Sequence, residues 1–192
     1  NLYNILGIAN AGLKLFDAAL DCYKKALKLN PSYTVIHNNI GNVLRDLGNL
    51  EGSVESYKKV IKFNPQSVEA FYNIGKSFGD MGNLNGALEY YKQAIIINPN
   101  HIDSHYNMGR ILHKKGDFVG ALSCFTHTLR INPNHVEAYI SMGFTFGEAG
   151  NLEAAVENYN KVIKIKPRNT KAWDSLAFPL HTMKHLIPFE NE

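Results

Sequence analysis

Apolar residues along the chain return with two periods, a short one that makes helices and a long one that repeats them. Between Val68 and Met81 they fall at Phe71, Ile74, Phe78 and Met81, the i, i+3, i+7 spacing of one helix face. Gly82 then ends that helix, because glycine takes the positive φ common at helix C-termini, and Asn83 is suited to cap a second helix. That second helix, about Leu84 to Ile97, carries Leu84, Leu88, Tyr91 and Ile95 on one side. Asn98-Pro99 stops it, since proline has no N–H to donate and keeps the preceding residue out of the helical region. The stretch from Val68 to His101 is therefore a helical hairpin.

The long period multiplies it. At an offset of 34 residues glycine recurs at Gly7, Gly41, Gly75, Gly109 and Gly143, and proline at Pro31, Pro65, Pro99, Pro133 and Pro167. A large ring recurs at Tyr23, Tyr57, Tyr91, Phe125 and Tyr159, where neighbouring hairpins can interlock, and Gly75 faces Ala87 in the expected close helix contact. A single hairpin cannot bury such a face, whereas a stack can. The pattern gives five repeats, at about 1–33, 34–67, 68–101, 102–135 and 136–169. Residues 170–192 form a sixth, modified unit, read as a cap or a join to a further domain, in which Pro179 should kink or end the helix and Leu180 to Ile187 form a short amphipathic continuation.

These residues resemble the tetratricopeptide repeat family. Its pattern of an aromatic, Leu-Gly, a bulky residue, Ala, an aromatic, Ala and Pro is met by Phe71, Ile74-Gly75, Phe78, Ala87, Tyr91, Ala94 and Pro99, and the match extends from residue 1 to about 178. The resemblance implies an all-α fold, a right-handed superhelical solenoid of 34-residue helix-turn-helix repeats. It also implies a protein that binds other proteins in a concave groove lined by first helices, and one that is not an enzyme.

The side of the first helices away from the core carries the candidate groove residues. They are Asn38, Asn39, Asn42 and Arg45 in hairpin two and Tyr72, Asn73 and Lys76 in hairpin three. Hairpin four adds Tyr106, Asn107, Arg110 and His113, and hairpin five Ser141 and Phe144. Asn39, Asn73 and Asn107 occupy one position, followed by Ser141 and Ser175, and the series is similar to the asparagine ladder of O-GlcNAc transferase. An asparagine both donates and accepts, so a ladder of them can hold an extended backbone; it can equally bond a neighbouring helix. Lys76 and Arg110 add positive potential and Tyr72, Tyr106 and Phe144 add aromatic surface, which favours a segment with some acidic and some apolar side chains. The carboxylate clamp of chaperone-binding repeats does not fit, because lysine is required where Asn38, Tyr72 and Tyr106 stand.

Charge and composition narrow the alternatives. The net charge of +3 lacks the basic stripe of a nucleic-acid binder, and much of the lysine sits near the ends of second helices, where it suits the helix dipole. There is no apolar run near 18 residues, so membrane insertion is not expected. Cys22 and Cys124 sit too many repeats apart to pair, and free thiols fit a reducing, cytoplasmic location, with a periplasmic one left open. No metal, cofactor or catalytic constellation is expected: His181 and His185 are four apart without a third ligand, and His37 and His105 read as half-buried packing residues. Lys14 stands where later hairpins have glycine, so the first turn is expected to be shifted. The start at Asn1, already inside a helix, suggests a piece of something longer. Besides a peptide-binding scaffold, two readings stay open: self-assembly through exposed ends of the stack, and the substrate-recruiting arm of a larger enzyme such as a glycosyltransferase.

Overall fold

The computed structural model describes residues 2–186, the side chains of Phe178 and of residues 180–186 excepted. Among the described residues it is all-α, built of helix-turn-helix repeats. The chain divides into two compact units, 1–101 and 102–192. The first holds three hairpins, α1 (Leu2–Gly12) with α2 (Phe16–Leu29), α3 (Thr34–Asp46) with α4 (Leu50–Phe63), and α5 (Val68–Asp80) with α6 (Leu84–Ile97). The second holds α7 (Ile102–Lys114) with α8 (Phe118–Ile131), α9 (Val136–Glu148) with α10 (Leu152–Ile165), and α11 (Thr170–Leu186). Inside each unit a helix packs mainly on its neighbours in sequence.

The turns follow from local chemistry. Gly48, Gly82, Gly116 and Gly150 take φ between 77° and 82°, and the next residue caps the second helix. Asn83 Oδ1, for example, accepts from the Gly86 N–H at 2.9 Å. The first turn is not shifted. Lys14 itself adopts φ 60°, and the Leu15 N–H reaches Asn10 O at 2.9 Å just as the Asn49 N–H reaches Leu44 O at 2.8 Å. The hydrogen bonds that close the helix thus impose the left-handed conformation on a lysine. At the far end of hairpins one to four the asparagine before proline leaves the helix, and its side chain accepts from the backbone two residues on, as in Asn98 with the Asn100 N–H at 3.0 Å; in hairpin five Lys166 holds this place.

The repeating glycines make room for rings. A Cβ on Gly75 would lie 2.6 Å from the Tyr91 ring, and Gly41, Gly109 and Gly143 are opposed by Tyr57, Phe125 and Tyr159 in the same way. The three atoms nearest to a Cβ on Gly75 all belong to the Tyr91 ring and none to Ala87, the partner read from the sequence, which is itself buried. The ring belongs to the same hairpin, and it also meets the following one, since Tyr57 clusters with Val54 and with Ile74 of α5. His37 and His105 are buried rather than half-buried. His37 Nε2 lies 2.8 Å from Pro31 O and its ring stacks on Phe63, while His105 stacks on His127 at 3.8 Å. Pro179 does not end α11, which continues to Leu186. The continuation expected over Leu180 to Ile187 and the pair His181 and His185 concern side chains outside the described residues.

Candidate functional site

In the first unit most of the candidate amides are engaged inside the protein. Asn39 Nδ2 donates to Asn4 Oδ1 at 3.1 Å, and Asn73 Nδ2 to Asn38 Oδ1 at 3.2 Å, so each bond joins one first helix to the next. Asn73 is 8% exposed. Asn42 Oδ1 accepts from the Tyr57 hydroxyl at 2.7 Å. Burial is the main reason the Tyr57 hydroxyl is pushed up to about 12, with Arg45 opposing the shift and Asp46 adding to it. Arg45 Nη2 lies 4.0 Å from Asp46, and its buried Nη1 has no hydrogen-bond partner.

Two sets of residues repeat at an offset of 34, one in each unit. Tyr72 packs on Tyr91 and His101, with Lys76 Nζ 5.6 Å from its ring centre. Tyr106 packs on Phe125 and His135, with Arg110 Cζ 5.9 Å from its ring centre. Each tyrosine is fixed by a second-helix ring and by the histidine at the start of the following first helix, and each presents a cation on its face.

The second unit gathers candidates around two adjoining recesses. Arg110, His113, Ser141 and Phe144 line the smaller, of about 250 Å³, together with Lys114, Phe125, Ile140 and Lys171. The larger, of about 590 Å³, lies between Phe144, Gly147 and Glu148 of α9, Ala155 and Tyr159 of α10, and Lys171, Asp174, Ser175 and Pro179 of α11. Several contacts stiffen these walls. Arg110 Nη1 donates to Asn107 Oδ1 at 3.3 Å, and Asn107 Nδ2 to Asp103 O at 2.9 Å. The Tyr106 hydroxyl lies 3.4 Å from Ser141 Oγ. His113 Nδ1 is 3.0 Å from Thr145 Oγ1, and its Nε2 is 3.4 Å from Glu148. The Tyr159 hydroxyl is raised by burial, against the opposing effect of its hydrogen bond to Ser175. Phe144 remains 53% exposed.

Lys114, Lys171, Asp174 and Gly147 were not among the sequence candidates. Two of them leave a trace in the repeat: Lys171 stands where earlier hairpins place Glu69, Asp103 and Glu137, and Gly147 where hairpins two and four place Arg45 and His113 and hairpin three places Gly79. Among the described residues no group of three His, Cys, Asp or Glu side chains could hold a metal, and no helix is long and apolar enough to cross a membrane.

Family models described as tetratricopeptide repeats match residues 1–33 and 68–101, 90–123 and 136–169, and one described as a TPR repeat matches 41–82. No curated protein sequence matches the chain. Among solved structures, a MamA protein is 26% identical over 88% of this chain and 93% of its own, with a TM-score of 0.76. YrrB, described as a TPR protein with an unusual peptide-binding site, is 25% identical over 95% of this chain and 90% of its own, with a TM-score of 0.72. A tetratricopeptide repeat protein from Parabacteroides merdae shares the fold with a TM-score of 0.82 at 20% identity, over 95% of this chain and 73% of its own.

Proposed function

Because the chain belongs to the tetratricopeptide repeat family, whose hairpins form scaffolds for contacts between proteins, we propose that it binds an extended segment of a partner protein along its first helices. The observation that carries this reading is the pair of recesses in the second unit, where Arg110, His113, Ser141 and Phe144 share one wall system. The peptide-binding site ascribed to YrrB, a protein of similar fold, supports it. In this reading Tyr106, Asn107 and Arg110 of the second unit meet the segment, and Tyr72 and Lys76 form the corresponding contact surface of the first unit. Asn38, Asn39, Asn42 and Asn73 serve mainly to fix the helices that present these side chains, since their amides are bonded within the first unit. Proteins of this family are in general scaffolds and not catalysts, and no reaction is assigned to this one.

Capture from a cell lysate tests the reading. Arg110 and Phe144 are both exposed, so replacing both with alanine should leave the melting temperature nearly unchanged. A protein retained by the wild type and lost by the variant is the expected outcome; retention of the same set by both would remove the recesses as the site.

The exposed apolar residues of α1 favour a second reading, self-association. Leu2, Ile5 and Ile8 are 69%, 63% and 51% exposed. In that case sedimentation should show a concentration-dependent dimer that Ile5→Lys abolishes. A monomer at all concentrations would rule it out.

A further inference from the structure

We propose that the two recesses of the second unit read a short motif in the bound segment, a bulky apolar or aromatic side chain about three residues from a carboxylate. This rests on the reading above and adds what selects the segment.

The larger recess is the apolar anchor site. Its volume of about 590 Å³ falls within the range of pockets that enclose a ligand group, and Ala155, Tyr159 and Phe144 give it an apolar lining. Gly147 keeps it open. A glycine inside a helix costs roughly 1 kcal/mol against alanine, so one that persists needs a reason. For Gly143, one turn earlier, the reason is packing, because a Cβ there would lie 2.6 Å from Tyr159. A Cβ on Gly147 would meet nothing within 4 Å. Packing therefore does not require Gly147, and its effect is to leave empty the space that Arg45 and His113 occupy at the same position of hairpins two and four; hairpin three, with Gly79, also leaves that position without a side chain.

The smaller recess supplies the carboxylate site. Arg110, Lys114 and Lys171 line it, and neither lysine has an ion-pair partner among the described residues. The two acids nearby are placed differently: Glu148 pairs with His113, and Asp174 lines the larger recess and not the smaller. Lys171 also reverses the sign of the acids that earlier hairpins carry at its position. A carboxylate entering here meets three cationic side chains, of which Arg110 is already oriented by Asn107.

Phe144 and Lys171 border both recesses, so the two sites are adjacent. Neighbouring helices pack roughly 8–10 Å apart, and a segment in the extended polyproline II conformation advances about 3.1 Å per residue with about three residues per turn, so that side chains three apart face the same way. The two side chains of the motif are therefore separated by about three residues.

Labelled nonapeptides of glycine, serine and alanine, each carrying one phenylalanine and one glutamate at separations of one to five residues in both orders, would be titrated into the intact chain by fluorescence anisotropy. The tightest binding is expected at a separation near three, with a loss of at least about tenfold when phenylalanine becomes alanine or glutamate becomes glutamine, and a further weakening with salt. Gly147→Leu should fill the larger recess and remove the dependence on phenylalanine without lowering the melting temperature. Lys114→Glu with Lys171→Glu should remove the dependence on glutamate. Affinity independent of spacing, wild-type binding by Gly147→Leu, or no binding by any peptide would overturn the motif. 3-Phenylpropionate binding as tightly as the best peptide would assign the recess to a small acid and overturn it as well. Peptides that bind without regard to the motif but are lost with Arg110→Ala and Phe144→Ala would overturn the motif alone and leave the segment-binding reading standing. Capture of the same partners by that double variant would instead remove the segment-binding reading.

Discussion

Gly75 and Gly147 both lie inside first helices, and their surroundings make opposite demands. A methyl group on Gly75 would press on the Tyr91 ring, and overpacking of this kind costs about 1–3 kcal/mol, so Gly75→Ala should lower the urea midpoint. Gly147 has open space beyond its Cα, and Gly147→Ala should raise the midpoint by the helix propensity of alanine, about 1 kcal/mol. A rise with Gly75→Ala would refute the ring contact. A second prediction concerns protons. Burial pushes the Cys124 thiol from 9.0 up to about 11 and the Tyr57 hydroxyl from 10.0 up to about 12. Both groups hold their protons more tightly in the folded chain. Their contribution is thus complete below pH 9.0 and is lost as the pH rises through the folded values. The urea midpoint should fall from pH 9 toward pH 11, and Cys124→Ala should flatten the early part of that fall. The repeating glycines were legible from sequence as packing positions; that the nearest neighbour is a ring was not, because periodicity does not say which side chain of the second helix reaches across.

At the scale of elements, the turns and the ties between helices decide stability. Lys14 holds a left-handed conformation that costs an L-residue about 1–2 kcal/mol, while its closing hydrogen bonds match those of the glycine turns. Lys14→Gly should therefore raise stability by roughly 1 kcal/mol, offset in part by the greater freedom of glycine in the unfolded chain. Thermal melting would check this, and a loss would mean that the lysine side chain stabilises the turn. The bond between Asn73 and Asn38 ties α5 to α3, with Asn73 buried. Alanine at either position should cost about 1 kcal/mol by leaving the other amide unpaired, and a double-mutant cycle should show coupling of about 0.5–1 kcal/mol. The ladder was visible in the sequence as a position repeated every 34 residues. Its bonds run at 35, from one column of the repeat to the adjacent one, as in Asn4 with Asn39, Asn38 with Asn73 and Tyr106 with Ser141. An offset of one is invisible to a comparison that aligns like with like.

For the whole molecule, the consequence of the repeat is locality. Within each compact unit a helix packs mainly on the helices just before and after it, so few native contacts require distant parts of the chain to meet. Low contact order gives fast folding, and stopped-flow refolding should show a main phase in the range of about a millisecond or faster. A main phase of seconds would indicate long-range pairing that this architecture does not contain. The same locality allows individual hairpins to diverge without unfolding their neighbours. Hairpin five can carry Gly147 where hairpin four carries His113, and α11 can carry Lys171 where hairpins three to five carry an acid, while Gly143, Tyr159 and Ala155 maintain the packing beside them.

The sequence by itself determined the helices, their ends and the five-fold return of the hairpin, because those depend on spacing, capping residues and prolines that act within a few residues. It also marked the outer side of the first helices, from which Arg110, His113, Ser141 and Phe144 come. Tertiary structure alone decided which of those side chains stay available. Asn42 and Asn73 are consumed by Tyr57 and Asn38, whereas Phe144 is left half in solvent. The recesses themselves arise where α7, α9 and α11 meet, from residues as far apart in sequence as Arg110 and Lys171. Emptiness at such a place depends on what does not reach it, and a linear pattern records only the residues that are present.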